Sequence, residues 1–124
     1  MTSPTRKKVM IVDDDKETRR LIKRIFSKKG FDVVEIENGA DCLTEIHNEK
    51  PCLVLLDRCM PDMDGWEVLR RIKEDDQLSS IKVAMLSSIS PTTEDIMREE
   101  FDLLEDYVLK PCATAEHIKR LGNR

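Results

Sequence analysis

The chain has 124 residues, of which 40% are hydrophobic and 37% charged, enough for one compact domain with a buried core and too few for two ordinary ones. These proportions exclude collagen-like, low-complexity and disordered chains, and a net charge of -4 argues against direct DNA binding, which needs a basic surface. No apolar run approaches the roughly 20 residues of a membrane span, and none follows the basic start MTSPTRKK as in a signal peptide, so a cytoplasmic protein without membrane contact is expected.

Residues 1–7 read as a loose tail and residues 8–124 as a single domain. The first strand is Val9–Val12. A helix follows from about Glu17 to Lys29, with Leu21, Ile22, Ile25 and Phe26 on one face and Arg19, Arg20, Lys23 and Arg24 on the other. Gly30 stands where a helix C-terminal glycine is expected. Next come a strand at Val33–Ile36 and a helix over about Gly39–Asn48, with Leu43 and Ile46 inward. Leu53–Leu56 is the third strand, and Gly65–Glu74 the third helix, with Val68, Leu69 and Ile72 inward. Val83–Leu86 is the fourth strand. Ser90-Pro91 offers an N-cap and first-turn pair for a helix running to about Glu100. Tyr107–Leu109 is the fifth strand, and a last helix after Pro111 carries only Ile118 and Leu121 as an apolar face. The strands are near-continuous apolar runs, as in a parallel sheet covered on both faces, so five β-then-α repeats predict an α/β domain.

The cysteines at 42, 52, 59 and 112 form no C-x-x-C and do not cluster with His47 or His117. That leaves no zinc pattern, and reduced, mostly buried thiols are expected, with Cys52 and Cys112 as packing residues. Trp66 and the Met60–Met63 pair read as packing as well.

Sites in open α/β sheets lie beyond the carboxyl ends of the strands. There stand Asp13, Asp14 and Asp15 after the first strand, Asp57 after the third, Ser87 and Ser88 after the fourth, and Lys110, followed by Pro111, after the fifth. Each has a bland reading: Asp15 as a helix N-cap, Ser87 as a loop serine, Lys110 as a solvated surface residue. Together they predict one crevice with several carboxylates, a hydroxyl and an ammonium. Crowded carboxylates recruit a cation, and Mg²⁺ suits a site of few carboxylates and several waters. Metal, lysine and hydroxyl around one carboxylate make a receiving site for a phosphoryl group, with that carboxylate as nucleophile.

The segments VMIVDDDKETRRLIKRIF, CLVLLDRCMPDMDGWEVLRRIK, VAMLSS and DYVLKP, with their spacing, resemble the receiver domain of response regulators in two-component signalling, from about Lys8 to Leu121. The resemblance implies a flavodoxin-like (βα)5 fold, doubly wound, with five parallel strands in the order 2-1-3-4-5 and five helices. It implies that Asp57 is the phosphoacceptor, and that Asp13, Asp14, Asp57 and the backbone carbonyl of Cys59 hold Mg²⁺, with Mn²⁺ a possible substitute. Ser87 and Lys110 would contact the phosphoryl group, Tyr107 with Ser87 would form the switch, and the Lys110–Pro111 peptide would be cis. The donor would be a sensor histidine kinase or phosphotransfer protein, docked with help from the basic first helix. An output protein would bind the face of helix 4, strand 5 and helix 5, which is acidic: residues 94–106 hold seven acids against one Arg. Such a chain is not a conventional enzyme, since it acts on its own side chain. The sequence departs from the family pattern at 101–106, which reads FDLLED in place of the usual Gly-Ala turn, and in carrying Ser87 where Thr is commoner. Cys59 and Ile89 occupy positions that tune phosphate lifetime in the family.

Three other readings stay open. An aspartate-nucleophile hydrolase would want an acidic residue where Cys59 stands. A flavin binder would want a Ser/Thr/Gly loop where Asp13–Asp15 stand. A receiver-like interaction module independent of phosphorylation would not need the whole acidic set.

Overall fold

The strands are β1 (Lys8–Val12), β2 (Asp32–Ile36), β3 (Leu53–Asp57), β4 (Lys82–Ser87) and β5 (Asp106–Leu109). In the computed structural model, which describes residues 7–110, they pair in parallel as one sheet in the order β2-β1-β3-β4-β5. Each lies within a residue or two of the apolar run that predicted it. Residues 1–6, the fifth helix, Cys112, His117 and the Lys110–Pro111 peptide lie outside the described residues. Lys7 continues the pairing, its carbonyl accepting from the Asp32 amide at 2.9 Å.

Alternate residues of the strands feed two cores, because successive side chains point to opposite faces. Met10, Val12, Val54, Leu56, Val83 and Met85 pack under α2 (Gly39–Glu49) and α3 (Gly65–Glu74). Val9, Ile11, Leu53, Leu55, Ala84, Leu86 and Val108 form the other core, with Ile22 and Phe26 of α1 (Lys16–Lys28). The burial of Val9–Val12 in β1 and of all of β3 is what their unbroken apolar runs require. None of the helices among the described residues is long and apolar enough to cross a membrane.

Several expectations are corrected. Leu21 on α1 is 41% exposed, whereas Arg19 is buried at 6%, because the inward stripe is Arg19, Ile22 and Phe26. Gly30 ends α1 as expected, with φ +91° and its N–H donating to Ser27. Cys42 is buried, and burial pushes its thiol up to about 12. Cys52 and Cys59 are exposed and do not pack.

The fourth helix departs most. Pro91 does not open it. Thr92 caps it through a reciprocal pair with Asp95, and α4 spans only Thr93–Met97. Arg98 is extended, and a 3-10 turn, Glu99–Leu103, follows. The reason is tertiary. The Arg98 guanidinium lies 5.2 Å over the Trp66 ring, and Phe101 stands 6.3 Å from both the Trp66 and Tyr107 rings. A helix continued past Met97 would rotate Arg98 and Phe101 out of that stack.

One glycine sets the approach of α3 to the sheet. A Cβ on Gly65 would lie 2.6 Å from the Asp57 carbonyl oxygen and 2.9 Å from the Arg58 Cα, and backbone cannot yield cheaply. Gly65→Ala is expected to cost about 1–3 kcal/mol in urea unfolding. Gly30→Ala, which meets open space but keeps a positive φ, should cost about 1 kcal/mol. A smaller loss at Gly65 than at Gly30 would contradict the packing argument.

Candidate functional site

The parallel sheet delivers the ends of β1, β3, β4 and β5 to one edge. Pairing of Asp13 N–H with Ile36 O at 3.0 Å carries the β1–β2 ladder one residue beyond the strand. This buries Asp13 completely. Asp57 closes β3 opposite Leu86 of β4 and is 6% exposed. Asp14 faces solvent. Oxygen atoms of Asp13, Asp14 and Asp57 lie within 4.8 Å of one another. Asp15 turns away, accepting from Glu17 N and Thr18 Oγ1 as the cap of α1, as expected.

Lys110 completes the group. Its amide donates to Ser87 O at 2.8 Å, which extends the β4–β5 ladder. Its Nζ then reaches Asp13 Oδ2 at 2.7 Å and Asp57 Oδ1 at 3.3 Å. Two like charges some 4 Å apart repel by about 4 kcal/mol at the dielectric of a partly buried site, and one ammonium cannot balance three carboxylates. Burial first, and then the Asp13 charge, push Asp57 up to about 7 against the pull of Lys110. Burial opposes the Lys110 charge, but the hydrogen bond to Asp13 and the two carboxylate charges outweigh it and hold the ammonium above its usual value.

Ser87 ends β4 and is buried. Its Oγ accepts from Ile89 N at 3.2 Å. Tyr107, half-buried on β5, donates its hydroxyl to Ile89 O at 3.1 Å. Both residues expected to form the switch therefore hold one backbone unit, Ile89. Cys59 has an exposed side chain, and its N–H donates to Asp57 Oδ1 at 3.4 Å.

Sequence reading missed four supporting residues. Arg19 donates from Nη1 to the Asp13 carbonyl at 2.7 Å and faces Glu35 and Glu37 at 3.4 and 3.6 Å. It fastens the acidic loop from inside and does not belong to the solvent-facing basic surface of Arg20, Lys23 and Arg24. Asp62 accepts from Gly39 N at 3.1 Å and Ala40 N at 3.0 Å, tying the loop after Asp57 to α2. Arg58 donates to Asp95 at 2.8 Å, and Asp95, counted with the acidic surface, is 2% exposed. The i, i+3, i+7 position of Arg19 on the stripe of α1 and the Thr92/Asp95 spacing were the available signals.

A cleft of about 390 Å³ lies at the other end of the strands, lined in part by Phe26, Phe31, Leu53 and Lys82. It is remote from the carboxylates of the acidic edge.

Comparison with known proteins agrees with this geometry. A family model described as the response regulator receiver domain matches residues 9–122. The DNA-binding response regulator MtrA of Mycolicibacterium smegmatis is 31% identical over 119 residues, covering 96% of this chain and 50% of that protein. The chain spans about half the length of the curated relatives it matches. Among solved structures, the N-terminal domain of a response regulator receiver protein from Methanoculleus marisnigri JR1 superposes with a TM-score of 0.78 at 32% identity, covering 94% of both chains. TrrA of Thermotoga maritima, in complex with Mg(2+)-BeF, gives 0.80 at 26% identity over 94% of this chain and 97% of its own. With the acidic edge, the strand order and a family match over nearly its whole length, the chain belongs to the response regulator receiver domains of two-component signalling.

Proposed function

We propose that Asp57 is the phosphoacceptor and that its donor is a phosphohistidine on a sensor histidine kinase or phosphotransfer protein. The observation that carries this is the setting of Asp57: a nearly buried carboxylate at a strand end, 3.3 Å from Lys110 and within 4.8 Å of two further carboxylates. An Asp57 oxygen attacks phosphorus, the P–N bond to the donor imidazole breaks, and its electron pair stays on the nitrogen. Water later opens the acyl phosphate and returns carboxylate and inorganic phosphate. The protein acts on its own side chain and not on a released metabolite.

The excess of carboxylate over ammonium fits a hard divalent cation with oxygen ligands. Asp13, Asp14, Asp57 and the Cys59 carbonyl would hold Mg²⁺, or Mn²⁺ in its place. When bound, the metal supplies positive charge to the phosphoryl oxygens. Lys110 pairs with another of those oxygens and Ser87 donates its hydroxyl to a third. As Ser87 moves, its bond to Ile89 N–H breaks, and Tyr107, bonded to the same residue, loses its anchor. The exposed Arg20, Lys23 and Arg24 would steer the donor. The output partner would meet the α4–β5 edge, where Glu94, Glu99, Asp102 and Glu105 are exposed. MtrA's name records DNA binding; for this chain we assign the output to protein contact at that edge.

Asp57→Asn is expected to abolish labelling by acetyl phosphate while leaving the unfolding midpoint near or above that of the native protein. Full labelling of the variant, followed by intact-mass spectrometry, would overturn the assignment. Metal binding separates the acidic neighbours. Asp14→Ala should weaken Mg²⁺ binding at least tenfold in a fluorescence titration on Trp66, whereas Asp15→Ala should change it less than threefold, and the reverse order would refute the ligand set.

The protonation of Asp57 gives a third test. Its pKa in the folded, metal-free protein is about 7, against about 4 in the unfolded chain. A raised acid pKa means the folded state binds the proton more tightly. The stability it contributes is full below about pH 4 and is lost as pH rises toward 7. In EDTA, the native protein should therefore gain stability relative to Asp57→Asn as pH falls from 7.5 to 5, read from denaturant midpoints. An unchanged difference across that window would place the proton elsewhere.

A further inference from the structure

Five polar or charged side chains are buried among the described residues: Asp13, Arg19, Asp57, Ser87 and Asp95. The first four form the acidic site or fasten it. Asp95 lies on α4, and its one charged partner comes from the site loop. Asp95 Oδ1 accepts from Arg58 Nη2 at 2.8 Å, and Oδ2 accepts from the Thr92 amide at 2.9 Å. Arg58 is the residue that follows Asp57, and its backbone is held on both sides: its N–H donates to Leu86 O and its carbonyl accepts from Gly65 N, each at 2.8 Å.

We infer that Arg58 is a positioning residue for the output surface: through Asp95 it makes the placement of α4 depend on the state of the Asp57 loop, by a route separate from Ser87 and Tyr107. The inference rests on the phosphoacceptor reading of Asp57.

Two features make the pair more than a fastening. First, a helix of five residues has no stability of its own, so α4 stands where its cap and Arg58 put it. Second, Asp57 Oδ1 takes both the Cys59 N–H and the Lys110 ammonium. A group bound at that oxygen competes with the Cys59 bond, and Arg58 lies between the two residues in the chain. Its guanidinium is joined to Asp95 through the single Nη2–Oδ1 bond at 2.8 Å, and a bond between two charged groups is of the stronger kind, so displacing Arg58 draws on Asp95. The two residues that follow Asp95, Ile96 and Met97, are 53% and 79% exposed. The apolar side chains that a partner would meet are thus displayed by the helix that Arg58 holds.

The test uses Arg58→Met/Asp95→Asn, which removes the ion pair without leaving a buried charge and keeps an oxygen for the Thr92 amide. In ligand-free protein, hydrogen exchange at the Ile96 and Arg98 amides, which close α4 on Thr92 and Asp95, should quicken at least tenfold while the β4 amides keep their rates. On adding Mg²⁺ with beryllium fluoride, NMR signals of Cys59 and Ser87 should shift in both proteins with half-saturation within threefold. The signals of Thr93–Met97 should shift in the native protein and by less than a third as much in the variant. Shifts of native size at α4 in the variant, or unchanged exchange, would overturn the link while leaving the phosphoacceptor reading in place. No shift at Cys59 in the native protein would overturn the phosphoacceptor reading and the link with it.

Discussion

Asp13, Asp14 and Asp57 crowd their oxygens within 4.8 Å, and the cation that reaches two of them is Lys110, at 2.7 and 3.3 Å. Left to itself such a group separates or takes up protons, and Asp57, raised to about 7 by burial first and by the Asp13 charge second, carries part of that tension. The rest of the fold is what keeps the carboxylates from separating. β1 and β3 are neighbours in the sheet, so Asp13 and Asp57 stand at adjacent strand ends with their backbones committed to ladder hydrogen bonds. The strands are anchored by side chains that are fully buried on both faces, each worth about 1.5–3 kcal/mol on burial. Local strain at the edge is thus held by the hydrophobic bulk behind it, and its relief is available to whatever neutralises the carboxylates.

The supporting contacts are arranged for the same end. Arg19 and Asp62 each bind backbone of a neighbouring segment, Arg19 the Asp13 carbonyl and Asp62 the first amides of α2. Neither places further charge directly on the carboxylate oxygens, so the loops are fixed without cancelling the field that attracts a cation. Lys110 differs: it neutralises in part, and because its amide is bonded to Ser87 O its position is tied to the strand that carries the hydroxyl.

The parallel sheet and the acidic edge were legible because each rests on a local or topological rule, whereas the strand order followed from the family resemblance. Unbroken apolar runs mean strands buried on both faces, and strand ends in a parallel sheet face one edge. What escaped depended on contacts between distant segments. Leu21 was read as buried because it is apolar, and Arg19 as exposed because it is charged. Yet Arg19 stands three residues before Ile22 and seven before Phe26, on the inward stripe, and its charge is met by Glu35 and Glu37 across β2. Periodicity carried the right answer and residue type overrode it. The break after Met97 is different, since nothing in the local pattern ends α4 there. Trp66, on another helix, draws Arg98 over its ring, and Phe101 slots between Trp66 and Tyr107.

That break bears on how the domain could signal. A long helix packed along the sheet would resist small displacements through many contacts at once. Here α4 is one turn and a half, joined to the site by one charged pair and to the aromatic stack by Arg98. Its position is set by few interactions, so a change in one of them alters a large share of what holds it. Ile89 has the same character: its amide is bound by Ser87 and its carbonyl by Tyr107. The edge that carries the exposed Ile89, Ile96, Met97 and Leu103 therefore has two tethers to the acidic site, one through Ser87 and one through Arg58. Both tethers start beside Asp57, so under the proposed phosphoacceptor reading a group bound there would act on the two ends of the β4–α4 segment together, and the segment would move as a unit where a single tether would only fray one end.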